Sequence, residues 1–287
     1  MTAEQARLLT RTERFGVRLA DLVARRMKLA STLWNLLVIT PLVFLAIGRR
    51  LDTRGLDHLR GMGARTPLIL VANHRSRYDF FAVTALVRWH AGLLRHFFFP
   101  VRSAYFYDHL SGILLNLVSA GMGMFPPIFR DAARRRVNDW SVSRCCDELR
   151  RARRVIGIHP EGTRNRTDDP YQIIDPKPGV GKIALEAPGA RVLPVFVVGI
   201  GDNPLTEYLY NFRPSRHPVR VLFGSEVVVE DLRAEGSRPL TQKQAMERCV
   251  AAVRALALEA RAMDSASGVS IALAPAGPPA PLLTERR

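Results

Sequence analysis

The sequence predicts an α/β protein: a largely parallel mixed sheet flanked by helices, with a membrane-associated helical segment at its N-terminus. Three observations lead there. From residue 67 onward, short apolar runs such as 67–72 and 155–158 alternate with longer stretches of helical spacing, and strand alternating with helix implies parallel strands covered on both faces. Two of the runs stop at polar turns, 73–79 and 159–165, and open sheets gather ligand sites beyond the carboxyl ends of their strands. No charge lies between Lys28 and Arg49, a window as long as a membrane-entering helix.

Residues 5–28 place Leu8, Phe15, Leu19, Leu22, Val23 and Met27 at helical spacing, with Arg11, Arg14, Arg18 and Arg25 on other faces. Such a basic amphipathic helix either lies in the interface of an anionic bilayer or docks on the main domain. A helix over 29–48 rises about 30 Å, the thickness of a hydrocarbon core. Ser31, Thr32, Trp34, Asn35, Thr40 and Pro41 dilute its apolarity, and basic residues flank both ends, so we expect a monotopic anchor over a spanning helix. It lies too far from the N-terminus for a simple signal peptide, and no small-residue cleavage site follows. Residues 1–54 are thus set apart as membrane-associated helices, with ten Lys and Arg against four Asp and Glu.

The main domain is expected over 55–263, opening with a Gly-rich linker at 55–65. Strands are expected at 67–72, 96–101, 122–129, 154–159, 191–199 and 219–229, and helices at 77–93, 108–119, 137–152 and 182–187. Residues 171–181 form a Pro/Gly-rich loop bearing Lys177, and 202–218 a polar excursion whose role the sequence does not disclose. A terminal helix at 241–263 carries Met246, Val250, Val253, Leu256 and Ala257 as a core stripe. Residues 264–287, rich in Ser, Ala, Gly and Pro, are expected to be a disordered tail. Cys145, Cys146 and Cys249 form no Cys-x-x-Cys and no even framework, which reads as reduced thiols in a cytosolic compartment.

The chemistry concentrates in the two polar turns. His74 and Asp79 are five residues apart, about 140° on a regular helix, so they meet only if His74 lies in the turn and Asp79 in the first helical turn. Ser76 supports that layout, since Ser-x-x-Asp before an apolar run is a helix-start signature with Ser at the N-cap. An imidazole with one nitrogen held by a carboxylate presents the other as a general base toward a hydroxyl. In the second turn Gly162 permits close backbone approach to a ligand, and Arg164 offers a planar charged fork suited to phosphate.

Together these turns resemble the 1-acylglycerol-3-phosphate O-acyltransferase family, the PlsC-type or lysophosphatidic acid acyltransferases. The family's Asn-His-x-x-x-x-Asp pattern, with a frequent Ser inside it, is met at Asn73, His74, Ser76 and Asp79. Its Pro-Glu-Gly-Thr-Arg block is met at Pro160, Glu161, Gly162, Thr163 and Arg164. Residues 124–130 are similar to a further block, an apolar strand ending in a phosphate-binding arginine, here Arg130, although two prolines and a missing Asp before Arg130 depart from it. Residues 192–195 are similar to the last block, and the resemblance covers roughly residues 65–230.

The resemblance implies a glycerolipid acyltransferase fold. It also implies acyl transfer from acyl-CoA or an acyl carrier protein to the hydroxyl of a lysophospholipid, foremost 1-acylglycerol-3-phosphate. His74 would be the base and Asp79 its partner. Arg164 and Arg130 would hold the acceptor's phosphate, Glu161 would orient an arginine or a glycerol hydroxyl, and backbone donors near Gly162 would face the oxyanion. No bound cofactor and no metal are expected. Glycerol-3-phosphate, a lyso-aminolipid or another lipid remain alternative acceptors, and a non-catalytic lipid-binding protein is an alternative of another class. The formal charge of +16 suits a polyanionic partner. Zinc-finger spacing, RNP blocks and helix-turn-helix signatures are missing, so the anionic surface of a membrane, at its cytoplasmic face, is expected over nucleic acid.

Overall fold

A computed structural model describes residues 1–268. Its main sheet has six strands in the order β1-β8-β7-β2-β6-β3. These are β1 (Leu51–Arg54), β2 (Leu68–Ala72), β3 (His96–Phe98), β6 (Arg154–Ile158), β7 (Arg191–Val198) and β8 (Val219–Phe223), while β4 (Val101–Arg102) and β5 (Pro127–Ile128) form a separate pair. β7, β2, β6 and β3 run parallel, and only β7 and β8 pair antiparallel. The sheet is mostly parallel and mixed, flanked by helices, as expected.

β2 occupies the centre because all five of its residues are apolar and buried, so both of its faces must be covered. Ile69 and Val71 join one core with Ile156, Val192 and Phe196 beneath the helices Gly179–Glu186 and Pro239–Ser267. Leu68, Leu70 and Ala72 join the opposite core with Val155, Leu193 and the helix Asp79–Ala91. This period of two carries the sheet's two faces into separate cores. Cys145, Cys146 and Cys249 are free and buried in the first core.

Several boundaries differ from expectation, each for a local reason. The strands expected at 96–101 and 122–129 do not extend the main sheet. Pro100, Pro126 and Pro127 lack the N–H a ladder needs, so the chain leaves the sheet after Phe98 and pairs only briefly as β4 and β5. Residues 55–65 contain the helix Leu56–Arg60 packed under the sheet through Leu59. The residues just before them, β1, are an edge strand paired with β8. β8 stops at Phe223, after which only Val227 bridges back to Val192. The helix expected at 182–187 starts at Gly179. The terminal helix runs on to Ser267, where buried Asp264 accepts from Arg220 Nε at 2.5 Å. The rest of the expected tail, 269–287, lies outside the described residues.

The N-terminal amphipathic helix, Arg11–Arg26, is docked on the domain. Val17, Ala20 and Val23 share a core with Tyr107, Ile113 and Phe125, and Glu13 and Asp21 pair with Arg134 and Arg144. The helix Lys28–Arg50 is 23 residues long, enough by length and composition to cross a membrane. It widens to a π-helical turn at Asn35–Ile39. Pro41 cannot donate to the fourth residue back and crowds that carbonyl, and the extra residue per turn relieves both demands.

Candidate active site

Three adjacent parallel strands deliver the site from one edge of the sheet. β2 ends into His74, β6 into His159 and Glu161, and β7 into the 199–202 turn. Asn73, fully buried, extends the β2–β7 ladder with its side chain: Nδ2 donates to the Val197 carbonyl at 2.8 Å and Oδ1 accepts from the Val197 amide at 2.7 Å. It fixes where β2 stops, and hence where the next residue's imidazole emerges.

His74 and Asp79 meet as their spacing requires, with His74 Nδ1 3.3 Å from Asp79 Oδ2. The helix begins at Asp79, with Tyr78 at the N-cap and no side-chain cap, so the Ser76 capping box does not form. Instead Asp79 Oδ2 accepts the amides of Arg75 at 2.7 Å and Ser76 at 2.8 Å, folding the turn around the carboxylate. The Ser76 hydroxyl donates to the Gly201 carbonyl at 2.8 Å, tying this turn to the one after β7.

Glu161, buried, serves the backbone. One carboxylate oxygen accepts the His74 amide at 2.5 Å and the other accepts the Ile174 amide at 3.2 Å. It thus orients the turn that carries His74, and makes no ion pair with an arginine among the described residues. Gly162 takes a left-handed φ of +64° beside the Lys177 side chain, and its amide donates to the His159 carbonyl at 3.1 Å. That donor closes the turn. Thr163 is exposed.

Arg164 does reach the cluster, where it pairs with Asp202. Arg130 is exposed after the small β4–β5 pair and makes no hydrogen bond or ion pair among the described residues.

Two residues not singled out from the sequence belong here. His159 stacks on His74, ring centroids 3.9 Å apart and planes within 9°, and its Nδ1 donates to the Ala72 carbonyl at 3.0 Å. Its position, first after β6, was the available signal. Asp202 holds Arg164 and accepts the Arg77 amide at 2.9 Å. It carries no local pattern beyond following a strand. The stack continues from His159 to Phe80 at 4.1 Å and to Phe99 at 4.8 Å. Gly157 makes room for both phenyls, since a Cβ there would stand 2.5 Å from Phe99 and 2.7 Å from Phe80. Beyond them an apolar cleft is lined by Ile39, Val43, Phe80, Phe81, Thr84 and Phe99.

Burial and charge tune the pair. Burial, then the Arg164 guanidinium, lowers His74 to about 4, against the opposing pull of Asp202. Burial raises Asp79 to about 7, against the imidazole of His159 and the two amides that favour its anion. His74 is therefore neutral at physiological pH, with Nδ1 turned to the carboxylate and Nε2 free to take a proton. Burial also raises Glu161 to about 7. His74, Asp79 and His159 bring one ligand atom each within 4.8 Å of one another. Their imidazoles lie in parallel planes, so one ion could not lie in the plane of both rings, as metal–histidine bonding prefers.

A family model described as Acyltransferase matches residues 50–198, just over half of the chain. No curated protein matches it at a significant level.

Proposed function

The chain belongs to the acyltransferase family, and from that premise we propose that it moves an acyl group from acyl-CoA or acyl carrier protein to a lysophospholipid hydroxyl. The first acceptor we propose is 1-acylglycerol-3-phosphate, giving phosphatidic acid at the cytoplasmic face of a membrane. The observation that carries this reading is the contact of His74 Nδ1 with the buried Asp79 carboxylate, with Arg164 in the same cluster.

His74 Nε2 takes the acceptor's hydroxyl proton as the oxygen attacks the thioester carbonyl. Asp79 holds the imidazole in the required tautomer and stabilises the imidazolium. The C–O bond forms, the C–S bond breaks, and the imidazolium returns the proton to the departing sulfur. A thioester is already activated, so transfer is direct and uses no acyl-enzyme. Arg164 takes the acceptor's phosphate by exchanging its pairing with Asp202 for a bidentate phosphate contact. A small apolar pocket beyond Phe80, about 20 Å³, lies between the helix Asp79–Ala91 and the helix Lys28–Arg50, and those helices would have to part to admit an acyl chain there.

One observation favours a second acceptor. Asp202 places a carboxylate beside Arg164, and that pair would suit the ammonium and the acid group of a zwitterionic lyso-aminolipid. Thiol release from acyl-CoA and from acyl carrier protein, measured with 1-acylglycerol-3-phosphate, glycerol-3-phosphate and a lyso-aminolipid, separates the readings. Release with the first acceptor at the highest kcat/KM is expected. No release with any acceptor would overturn acyl transfer and leave a lipid-binding protein.

A further inference from the structure

Three helices on this protein carry their polarity inside out. In Lys28–Arg50 the buried residues include Ser31, Thr32 and Thr40. Ser31 Oγ donates to the Gly121 carbonyl at 2.7 Å, Thr32 Oγ1 lies 3.2 Å from His96 Nδ1, and Asn35 Nδ2 donates to the Ala120 carbonyl at 3.0 Å. Its leucines face outward, Leu37 being 69% exposed. The helix Leu110–Ala120 repeats the pattern. It has no charged residue, it fully buries Asn116 against the Met124 backbone, and it exposes Leu110, Leu114, Leu115 and Val118. In Pro204–Tyr210, Glu207 is buried against Arg50, while Leu205 and Leu209 are 72% and 63% exposed. A helix packed on a domain in water shows the reverse arrangement.

The three helices adjoin. Trp34 Nε1 donates to the Val118 carbonyl at 2.8 Å, and Asn211 Nδ2 donates to the Leu45 carbonyl at 2.8 Å, so the second and third helices sit along the two halves of the first. Gly121 allows the closest approach, since a Cβ there would stand 2.9 Å from Ser31 Oγ. Exposed large apolar side chains on three adjoining segments mark an interaction surface. Charge identifies the occupant. The only acid in these three helices, Glu207, is neutralised by Arg50, while Lys28, Arg49, Arg213 and Arg216 are exposed at their ends. Trp34, Trp89 and Tyr208 are also exposed there, the amphipathic aromatics that settle at headgroup level.

We propose that these helices form one seating face for an anionic phospholipid bilayer, with Leu110–Ala120 and residues 205–212 entering the interface beside Lys28–Arg50. This goes beyond the proposed reaction, and its test does not depend on the chemistry. The full chain is floated with vesicles of phosphatidylcholine and phosphatidylglycerol at three to one, and with vesicles of phosphatidylcholine alone. Leu114→Glu with Leu115→Glu, and separately Leu205→Glu with Leu209→Glu, should each lower the vesicle-bound partition at least about tenfold, because charge replaces two inserted leucines. Arg213→Ala with Arg216→Ala should weaken binding to the anionic vesicles only. Wild-type partition in both leucine pairs would overturn the proposal in favour of a single-helix anchor. Loss of a dimer by light scattering in those pairs, with partition unchanged, would overturn it in favour of a second copy as occupant. Should a charged pair fail to fold, Leu114→Cys carries a polarity-sensitive dye, the three native thiols being buried. A blue shift on anionic vesicles is expected, and an unshifted spectrum on protein that floats would sink the idea.

Discussion

Among the clusters of buried ionisable groups in the described residues, two are held in opposite ways. In one, Arg144 and Arg154 flank Glu148 at 2.6 and 2.8 Å, with Asp21 on Arg144 at 2.8 Å, so cation meets anion directly. It fastens the docked N-terminal helix and the start of β6 to the helix Arg135–Leu149. In the other, the carboxylates of Asp79 and Glu161 are held by backbone amides and make no ion pair with a guanidinium among the described residues, while Arg164 is paired with Asp202. A carboxylate locked between guanidiniums stays charged, and its loss exposes buried cations. Burial with no guanidinium bound to the carboxylate raises both Asp79 and Glu161 to about 7, against the amides that favour their anions. The first arrangement supplies rigidity, and the second supplies charge that can change during a reaction.

The sharpest way to break that division is to remove one residue from each cluster. His74→Ala should lower thioester-dependent transfer by at least about 10²–10⁴, the usual contribution of a positioned base, with its unfolding curve unchanged. Glu148→Ala should cost about 3–5 kcal/mol in denaturant unfolding, because it strands two buried arginines, while turnover per folded molecule stays the same. If His74→Ala destabilised the fold as much as Glu148→Ala does, or Glu148→Ala silenced folded enzyme, the two clusters would not divide the work as argued.

Next in size is pH. On the proposed mechanism, transfer needs Asp79 ionised to support the imidazolium and His74 neutral to accept a proton. With Asp79 at about 7 and His74 at about 4, kcat/KM should fall about tenfold per unit as pH drops below about 7, and more steeply below about 4. Stability moves the other way. The folded state binds the Asp79 proton more tightly than the unfolded chain does, so this group favours folding at low pH and loses that advantage as pH rises through about 7. Asp79→Asn keeps an oxygen for the two amides and cannot ionise. It should be inactive yet melt above the wild type at pH 8 and alongside it at pH 4. A melting temperature below the wild type at pH 8 would contradict the burial argument.

What the sequence disclosed, and what it withheld, follows the range of the interactions. The central strands were legible because full burial on both faces leaves a continuous apolar run, as in residues 68–72. The His74–Asp79 contact was legible because a turn of five residues allows few alternatives. The pairing of Arg164 with Asp202 spans 38 residues, with a helix and the strand β7 between them, and no periodicity marks such a contact. Glu161 was recognisable as a site residue, but its bonds to the His74 and Ile174 amides depend on loops brought together by the β2–β6 register. Arg130 is placed by resemblance alone, and it stands exposed with no side-chain partner among the described residues.

The smallest expected effect concerns Asp202, the acid paired with Arg164, which on the proposed reading yields its partner when a phosphate binds. Asp202→Asn keeps a hydrogen-bonding oxygen for the Arg77 amide and removes the charge that competes for Arg164. It should lower KM for 1-acylglycerol-3-phosphate severalfold with little change in kcat, whereas Arg164→Ala should raise that KM. If the acceptor is instead a lyso-aminolipid whose ammonium rests on Asp202, the same Asn substitution raises KM. The sign of one KM change then decides whether this carboxylate is a placeholder for the substrate's phosphate or a recognition group in its own right.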